Sequence, residues 1–497
     1  MDSQYYLQSA VEVPGHAGIG NHAPEPTGPG LQRNAIGLQG TTATTLANIG
    51  PAMIVYLIGG SIVATMGSYA PWVFVLSGIA VLATGLSVVE YTRRMTSAGG
   101  FISYVTRAAA VGQGGHVGKF LGAMTFYLLF LLYPLALASV LAFVGDWTTV
   151  YFGWPAESWI WVALVAVVAS FPLALNGISM SIRTVLAMFI IEIVPLLVLC
   201  VIVVARSHSA WATPFHLVGG SPGGFAGIAG LTFAVAVFGY IGWEGSIPLG
   251  EETKNPRRTI PRTVVLSIAV VTFIYVASSC VLVIGFSAWQ GREAGMESIV
   301  AAGNPFLELA GHYAPWLLPI IFITGITSSL GALLATSLTG ARYIFHAARA
   351  GLLPRRLSRV SAKTGVPVLA TATYVGLIVV ATVMAYLIMH DSVSISSFAA
   401  GISTVPMLVI YALTCALLPV FIWRSDRPAF SAFRHLLCPF VGFSVMAYGI
   451  WMSVDPRENN YWIFVLAYLA VAAAGAAFAL RKKGPSIAAL TQSLPDS

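Results

Sequence analysis

Read along the chain, apolar residues fall into long continuous runs separated by short polar stretches. The runs cover about residues 36–64, 70–90, 120–145, 158–176, 184–205, 225–249, 263–287, 315–341, 366–389, 395–422, 435–453 and 461–480. Each has roughly 20 residues or more, the length an α-helix needs to cross about 30 Å of hydrocarbon. A membrane β-barrel would instead show ~10-residue segments of alternating polarity. The pattern predicts an all-α integral membrane protein with twelve transmembrane helices, spans 1 to 12. Residues 1–35 are polar, rich in Gly, Pro and His, and contain no apolar run, which predicts a disordered cytoplasmic tail rather than a signal peptide.

Two of the runs are interrupted. Span 6 closes on GYIGWEGSIPLG, where Gly239, Gly242 and Gly245 recur and Pro248 follows. Glycine weakens a helix and proline removes one of its donors. In hydrocarbon every freed backbone group needs another partner, so a broken helix belongs beside a polar cavity. Span 1 carries LANIGPAMIVYLIGG, with Gly50-Pro51 near its middle. Alone, that pair reads as a proline kink. Its match with span 6, five spans later, makes it the second of two breaks. Unpaired amides and carbonyls at such half-helix ends bind anions and cations respectively. Two halves follow, residues 36–205 (spans 1–5) and 225–422 (spans 6–10), each opening on a broken helix. Five is odd, so the second half runs inverted, the plan of many secondary transporters. Residues 435–480 form a peripheral pair of helices, and 481–497 a second cytoplasmic tail.

Composition agrees with a membrane protein. Of 497 residues, 57% are hydrophobic and only 9% charged, against about 25% charged in soluble domains; mean hydropathy is +0.83. The formal charge of +7 is distributed by side of the membrane. With the N-terminus inside, only Arg206, Arg292 and Arg457 of the 25 Lys and Arg fall in outer loops. The basic excess is thus a topology signal that places both termini in the cytoplasm, with contact to anionic lipid and no nucleic-acid partner. Cys200, Cys280, Cys415 and Cys438 sit in or beside apolar runs without CxxC spacing and read as packing residues. His16 and His22 are too sparse for a metal site. No HExxH, GxSxG or Asp/His cluster lies within the spans, so neither catalysis, a cofactor nor a metal is expected. Trp147, Trp154 and Trp159 read as an aromatic belt at the outer interface.

Two acidic residues lie well inside spans, Glu192 in span 5 and Glu244 in span 6. A carboxylate in the bilayer costs at least about 2.5 kcal/mol, so it faces a cavity or serves a function. The alternative is a protonated Glu satisfied by one interhelical hydrogen bond. Glu90, at the inner edge of span 2, reads as a paired carboxylate. Thr327, Ser328 and Ser329 in span 8 either permit close helix packing or line an ion site. Ser396, Ser397 and Ser403 form a second hydroxyl group in span 10, and Tyr133 of span 3 reads more readily as packing than as a ligand contact.

At Gly242-Trp243-Glu244 and the following GEETKNPRRTIPR, the chain resembles the amino acid–polyamine–organocation (APC) superfamily. TSAGGFISYV after span 2 is a further match, as is ARAGLLPRRL after span 8, where Ala350 replaces the family's usual acid. The resemblance covers spans 1 to 10. It implies a LeuT-like 5+5 inverted-repeat fold, with substrate held between unwound parts of spans 1 and 6. It implies transport of a small amino acid, with an organic amine or polyamine as the alternative. Phe238 matches the family's aromatic gate, and Gly239, Tyr240, Ile241 and Gly242 the segment whose carbonyls hold the substrate ammonium. Tyr133 and Ser397 are carried over as further substrate contacts, Glu244 as a carboxylate beside the break, and Ser328 and Ser329 as hydroxyls at the fold's sodium-like site.

Two departures stand out. The span-1 break is Ile49-Gly50-Pro51-Ala52-Met53 in place of a Gly-Ser-Gly-like run whose amides bind the substrate carboxylate. Pro51 has no N–H, so one donor is missing, while Gly50, Ala52 and Met53 keep theirs. Glu192 stands where several proton-coupled members place a lysine that donates to span 1. A glutamic acid donates only when protonated. Protonated Glu192 would tie span 5 to the break and favour the loaded form; deprotonation on the inner side would release cargo. The competing expectation is an ionised Glu192 holding a cation such as sodium with Ser328 and Ser329. Uncoupled exchange is the third alternative.

Overall fold

The computed structural model describes residues 31, 33–175, 178–215, 231–291, 298–299, 304–454, 461–481 and 487–491. The tail 1–30, the beginning of span 6, most of the loop after span 7 and most of the C-terminal tail lie outside them. Among the described residues the fold is helical, with a single β-bridge between Ile36 and Thr253.

The helices, in chain order, are α1 (Leu38–Ile49), α2 (Pro51–Ile54), α3 (Gly60–Met66), α4 (Ala70–Thr92), α5 (Phe101–Gln113), α6 (Gly115–Phe152), α7 (Trp159–Leu175), α8 (Ile178–Arg206) and α9 (Leu231–Phe238). They continue as α10 (Pro256–Gln290), α11 (Pro305–Tyr313), α12 (Leu318–Ala350), α13 (Val368–Met389), α14 (Ser392–Ser425), α15 (Cys438–Val454), α16 (Tyr461–Arg481) and α17 (Ile487–Leu490). Ten helical runs among the described residues are long and apolar enough to cross a membrane. The first of them, Leu38–Thr92, is 55 residues long and turns at Gly67–Tyr69, so it holds the sequence of spans 1 and 2 together. Of span 6, the described α-helix is the eight residues of α9.

Both expected breaks are present. Gly50 ends α1 in the left-handed region (φ 66°, ψ 61°), which glycine adopts at no steric cost, and Pro51 opens α2 at the position where a missing N–H costs nothing. A single π-turn, Val55–Gly59, then separates α2 from α3. After Phe238 the chain leaves the α-helix and descends through successive three-residue turns. The Ile241 N–H donates to the Phe238 carbonyl (2.9 Å), that of Gly245 to Gly242 (2.9 Å) and that of Ile247 to Glu244 (2.8 Å).

The two broken elements are joined below the breaks as well. The Ala35 and Lys254 N–H groups bond to the Glu252 and Ile36 carbonyls at 2.8 and 2.7 Å. Around them, α4, α6, α10, α12 and α14 carry the buried core, with Phe74, Phe126, Tyr275, Ile344 and Tyr411 fully enclosed. The outward faces of α7, α8, α13 and α16 expose Trp161, Val168, Val201, Ile388 and Phe478. A solvent-facing surface this apolar requires lipid against it.

Several side chains depart from the sequence reading. Helix α6 runs on to Phe152, one to two turns past the expected end of span 3, and carries Asp146 and Trp147 within it. Trp147 is therefore buried rather than interfacial, and Trp159 is buried too; of the expected belt only Trp154 is exposed. Glu90 is paired as expected, with Arg93 at 3.0 Å, Arg94 at 2.6 Å and His435 at 3.2 Å.

Candidate functional site

The breaks face each other, and Asn48 holds them together. Its amide Nδ2 donates to the Gly242 carbonyl (3.0 Å), and its Oδ1 accepts from Thr336 of α12 (2.7 Å). Gly242 has φ +114°, and a Cβ there would lie 2.9 Å from the Asn48 backbone. This crossing needs both the glycine's conformational freedom and its lack of a side chain.

Freed backbone groups at the breaks have found side-chain partners, as burial demands. The Met53 N–H donates to the Ser328 hydroxyl (3.0 Å), and the Gly242 N–H to Glu244 (3.0 Å). The Tyr275 hydroxyl donates to the Gly239 carbonyl. Each bonded carbonyl retains a second lone pair for a ligand.

The two intramembrane glutamates have different surroundings. Glu244 is fully buried and accepts from the Tyr133 hydroxyl (2.8 Å), the Tyr411 hydroxyl (2.6 Å) and the Gly242 N–H. It clasps α6, α14 and the break, and Tyr133 is engaged in that clasp. Glu192 is 1% exposed; its carboxyl sits beside the Ser328 hydroxyl, and its Oε1 has no hydrogen-bond partner among the described residues. Glu192, Ser328 and the Met53 N–H thus form a chain of polar groups from α8 through α12 to the first break. Ser329 turns its hydroxyl back to the Gly325 carbonyl of its own helix (2.9 Å).

A cavity of about 630 Å³ opens on one side of the breaks. Its walls are the part of the first broken element that follows the break (Tyr56, Ser61), α6 (Phe143, Asp146, Trp147), α9 (Val235, Phe238), Asn304, and α14 (Ser392 to Thr404). Of the residues expected to bind substrate, Phe238 and Ser397 line it. Ile49, Gly50, Pro51, Ala52 and Met53, with Gly239, Tyr240, Ile241 and Gly242, form the two breaks beneath its walls and are not among the lining residues. The Tyr240 hydroxyl is spent on the Phe74 carbonyl (2.8 Å).

On the other side of the breaks, two carboxylate–guanidinium pairs tie the elements together. Arg342 of α12 makes a forked pair with Glu252 (2.9 and 3.0 Å), both fully buried. Arg349 does the same to Glu251 (2.6 and 3.1 Å), whose Oε1 also takes the Ala98 N–H (3.0 Å). The three stretches GEETKNPRRTIPR, ARAGLLPRRL and TSAGGFISYV therefore meet in one closure. Burial alone would raise the Glu251 carboxyl, but the hydrogen bonds and charge of Arg349, with the Ala98 amide, outweigh it and hold the group below its usual range.

Sequence reasoning passed over Asn48, Tyr56, Asp146 and Arg342. Asn48 and Arg342 carried a signal, a polar side chain beside or at the end of an apolar run. Asp146 lost its signal because span 3 was ended one residue before it.

A helical, lipid-faced chain with two facing broken helices, a cavity on one side of them and an ion-paired closure on the other is a membrane transport protein. The family model described as amino acid permease matches residues 36–477, and the chain belongs to that family and to the APC superfamily. The branched-chain amino acid permease BcaP of Bacillus subtilis is 28% identical over 342 residues, 64% of this chain and 68% of that protein. An uncharacterised transporter of Mycobacterium tuberculosis is 30% identical over 410 residues, covering 80% and 83% of the two chains. Cationic amino acid transporter 1 of Arabidopsis thaliana is 33% identical over 138 residues, 28% of this chain and 22% of that one.

Proposed function

We propose that the chain is a secondary active carrier that moves an amino acid across the cytoplasmic membrane by alternating access, with proton coupling through Glu192. It would cross the membrane twelve times as two inverted five-helix repeats plus a peripheral pair, with both termini inside. The cavity then faces outward, and the Glu251–Arg349 and Glu252–Arg342 pairs form the closed inner gate. Substrate amide and carbonyl contacts would come from the Gly50–Met53 and Gly239–Gly242 breaks, beneath Phe238.

One observation carries the coupling: the buried Glu192 reaches the Met53 amide through Ser328 and has one carboxyl oxygen left without a partner. Ser328 has two lone pairs, so it can accept from a protonated Glu192 and from the Met53 N–H together, which ties α8 to the first break without a buried charge. Loss of the proton leaves a buried carboxylate with one oxygen unpartnered, a cost that favours opening the site to water and so loosens α8 from the break. Coupling of this kind is reciprocal, so proton binding tightens substrate binding and the reverse.

The test uses purified Glu192→Gln protein in liposomes under an imposed pH difference. Glutamine keeps a donor and cannot titrate. The variant is expected to bind and exchange substrate but to lose accumulation driven by the pH difference. Accumulation at the wild-type level would overturn the proton role, and a sodium requirement in its place would favour a cation held at Glu192 and Ser328.

A further inference from the structure

The cavity contains a charge that the transport reading does not use. Asp146 is the one acidic or basic side chain among the described residues that line it. It projects from α6 between Phe143 and Trp147 positions that also face the cavity. Ser392, at the start of α14, donates its hydroxyl to Asp146 Oδ1 (2.8 Å) and fixes the carboxylate's direction. Asp391, the N-cap of α14, is close enough to add a second negative charge to its field. Among the described residues, neither carboxylate is in an ion pair.

A charge on a cavity wall with low-dielectric neighbours focuses its field into the cavity and selects the sign of what enters. Here that sign is positive. The other walls suit the same ligand. Tyr56 and Trp147 stack with ring centroids 5.0 Å apart, Phe143 lies 5.5 Å from Trp147, and Phe238 stands on α9. Electron-rich rings beside a carboxylate attract an organic cation more than a neutral chain of the same size.

We propose that Asp146 is a cation-selecting subsite and that the substrate carries an ammonium or guanidinium in addition to its α-amino group. The inference rests on the carrier reading above and adds the charge of the substrate. Asp146, oriented by Ser392, would take the cationic end of the side chain when substrate occupies this cavity.

The test compares isosteric pairs on detergent-purified protein by ligand-induced rise in melting temperature, which reports binding to the folded form. L-Lysine is paired with L-norleucine, and L-arginine with L-citrulline. The expected result is that one cationic member binds at least about tenfold more tightly than its uncharged partner. In Asp146→Asn that preference falls to near unity, and Asp146→Glu restores part of it. Should Asp146→Asn fail to fold, the wild-type pairs carry the test alone, with Ser392→Ala as the milder variant. Equal or tighter binding of norleucine and citrulline overturns the inference and leaves the carrier reading standing. Binding of none of the four also overturns it, and the carrier reading is then judged by counterflow of the remaining amino acids.

Discussion

Gly242 is the residue on which the crossing of the two broken helices depends. Its φ of +114° is strained for any residue with a side chain, and a methyl group would meet the Asn48 backbone at 2.9 Å, where nothing flexible can move aside. Gly242→Ala is expected to cost about 1–3 kcal/mol, the range for overpacking a well-filled site. Thermal melting in detergent should show the loss, while Gly376→Ala, inside α13 and with an added Cβ that meets nothing within 4 Å, should leave the midpoint unchanged or slightly raised. Glycines of this kind are legible from sequence because a left-handed residue inside an apolar run has few alternatives. Their partners were not. That Asn48 joins Gly242 to Thr336, residues 194 and 288 positions away, is a tertiary fact with no local pattern. Glu192 and Glu244 were legible as unusual. Only packing distinguishes the fully bonded Glu244 from Glu192, which has an unpartnered oxygen.

At the scale of elements, helix starts and stops follow from their ends. Gly50-Pro51 closes one helix and opens the next, Asn304 caps α11 by accepting from Phe306 and Leu307, and Asp391 caps α14 by accepting from Ser394. The runs of hydrophobicity coincide with the ten long apolar helical runs among the described residues but fix their ends poorly, because a long helix projects polar turns beyond the lipid. That is why α6 extends past Gly145 and takes Asp146 into the cavity wall. The loops between elements held the most specific motifs, and the structure explains them as one closure: Ala98, Glu251 and Arg349 come from three separate stretches. Because the Glu251 carboxyl is held below its usual value, its contribution to stability is fully present above about pH 4.3, the ordinary glutamate value, and is lost as pH falls through the lowered one. Melting temperatures of wild type and Glu251→Gln should therefore differ at pH 6–7 (about neutral) and converge below about pH 4. A gap that does not narrow as the pH is taken below about 4 would remove the ion-pair account of the closure.

For the whole molecule, composition and run length were enough to place it in a membrane, and paired helix breaks were enough to point to transport. The cavity and the seal opposite it were not readable, since both are made by elements distant in sequence. Arg342 and Glu252 are fully buried and 90 positions apart. A buried pair contributes little net stability when intact, yet breaking it costs about 3–5 kcal/mol. Such a pair suits a gate that has two defined states. The most direct measurement of the carrier account is counterflow: proteoliposomes of the purified protein, loaded with unlabelled amino acids and given a labelled trace of the same compounds outside. The account predicts saturable, transient accumulation of label above equilibrium, abolished by Gly242→Ala. Linear entry of label that ignores the internal amino acids would contradict it.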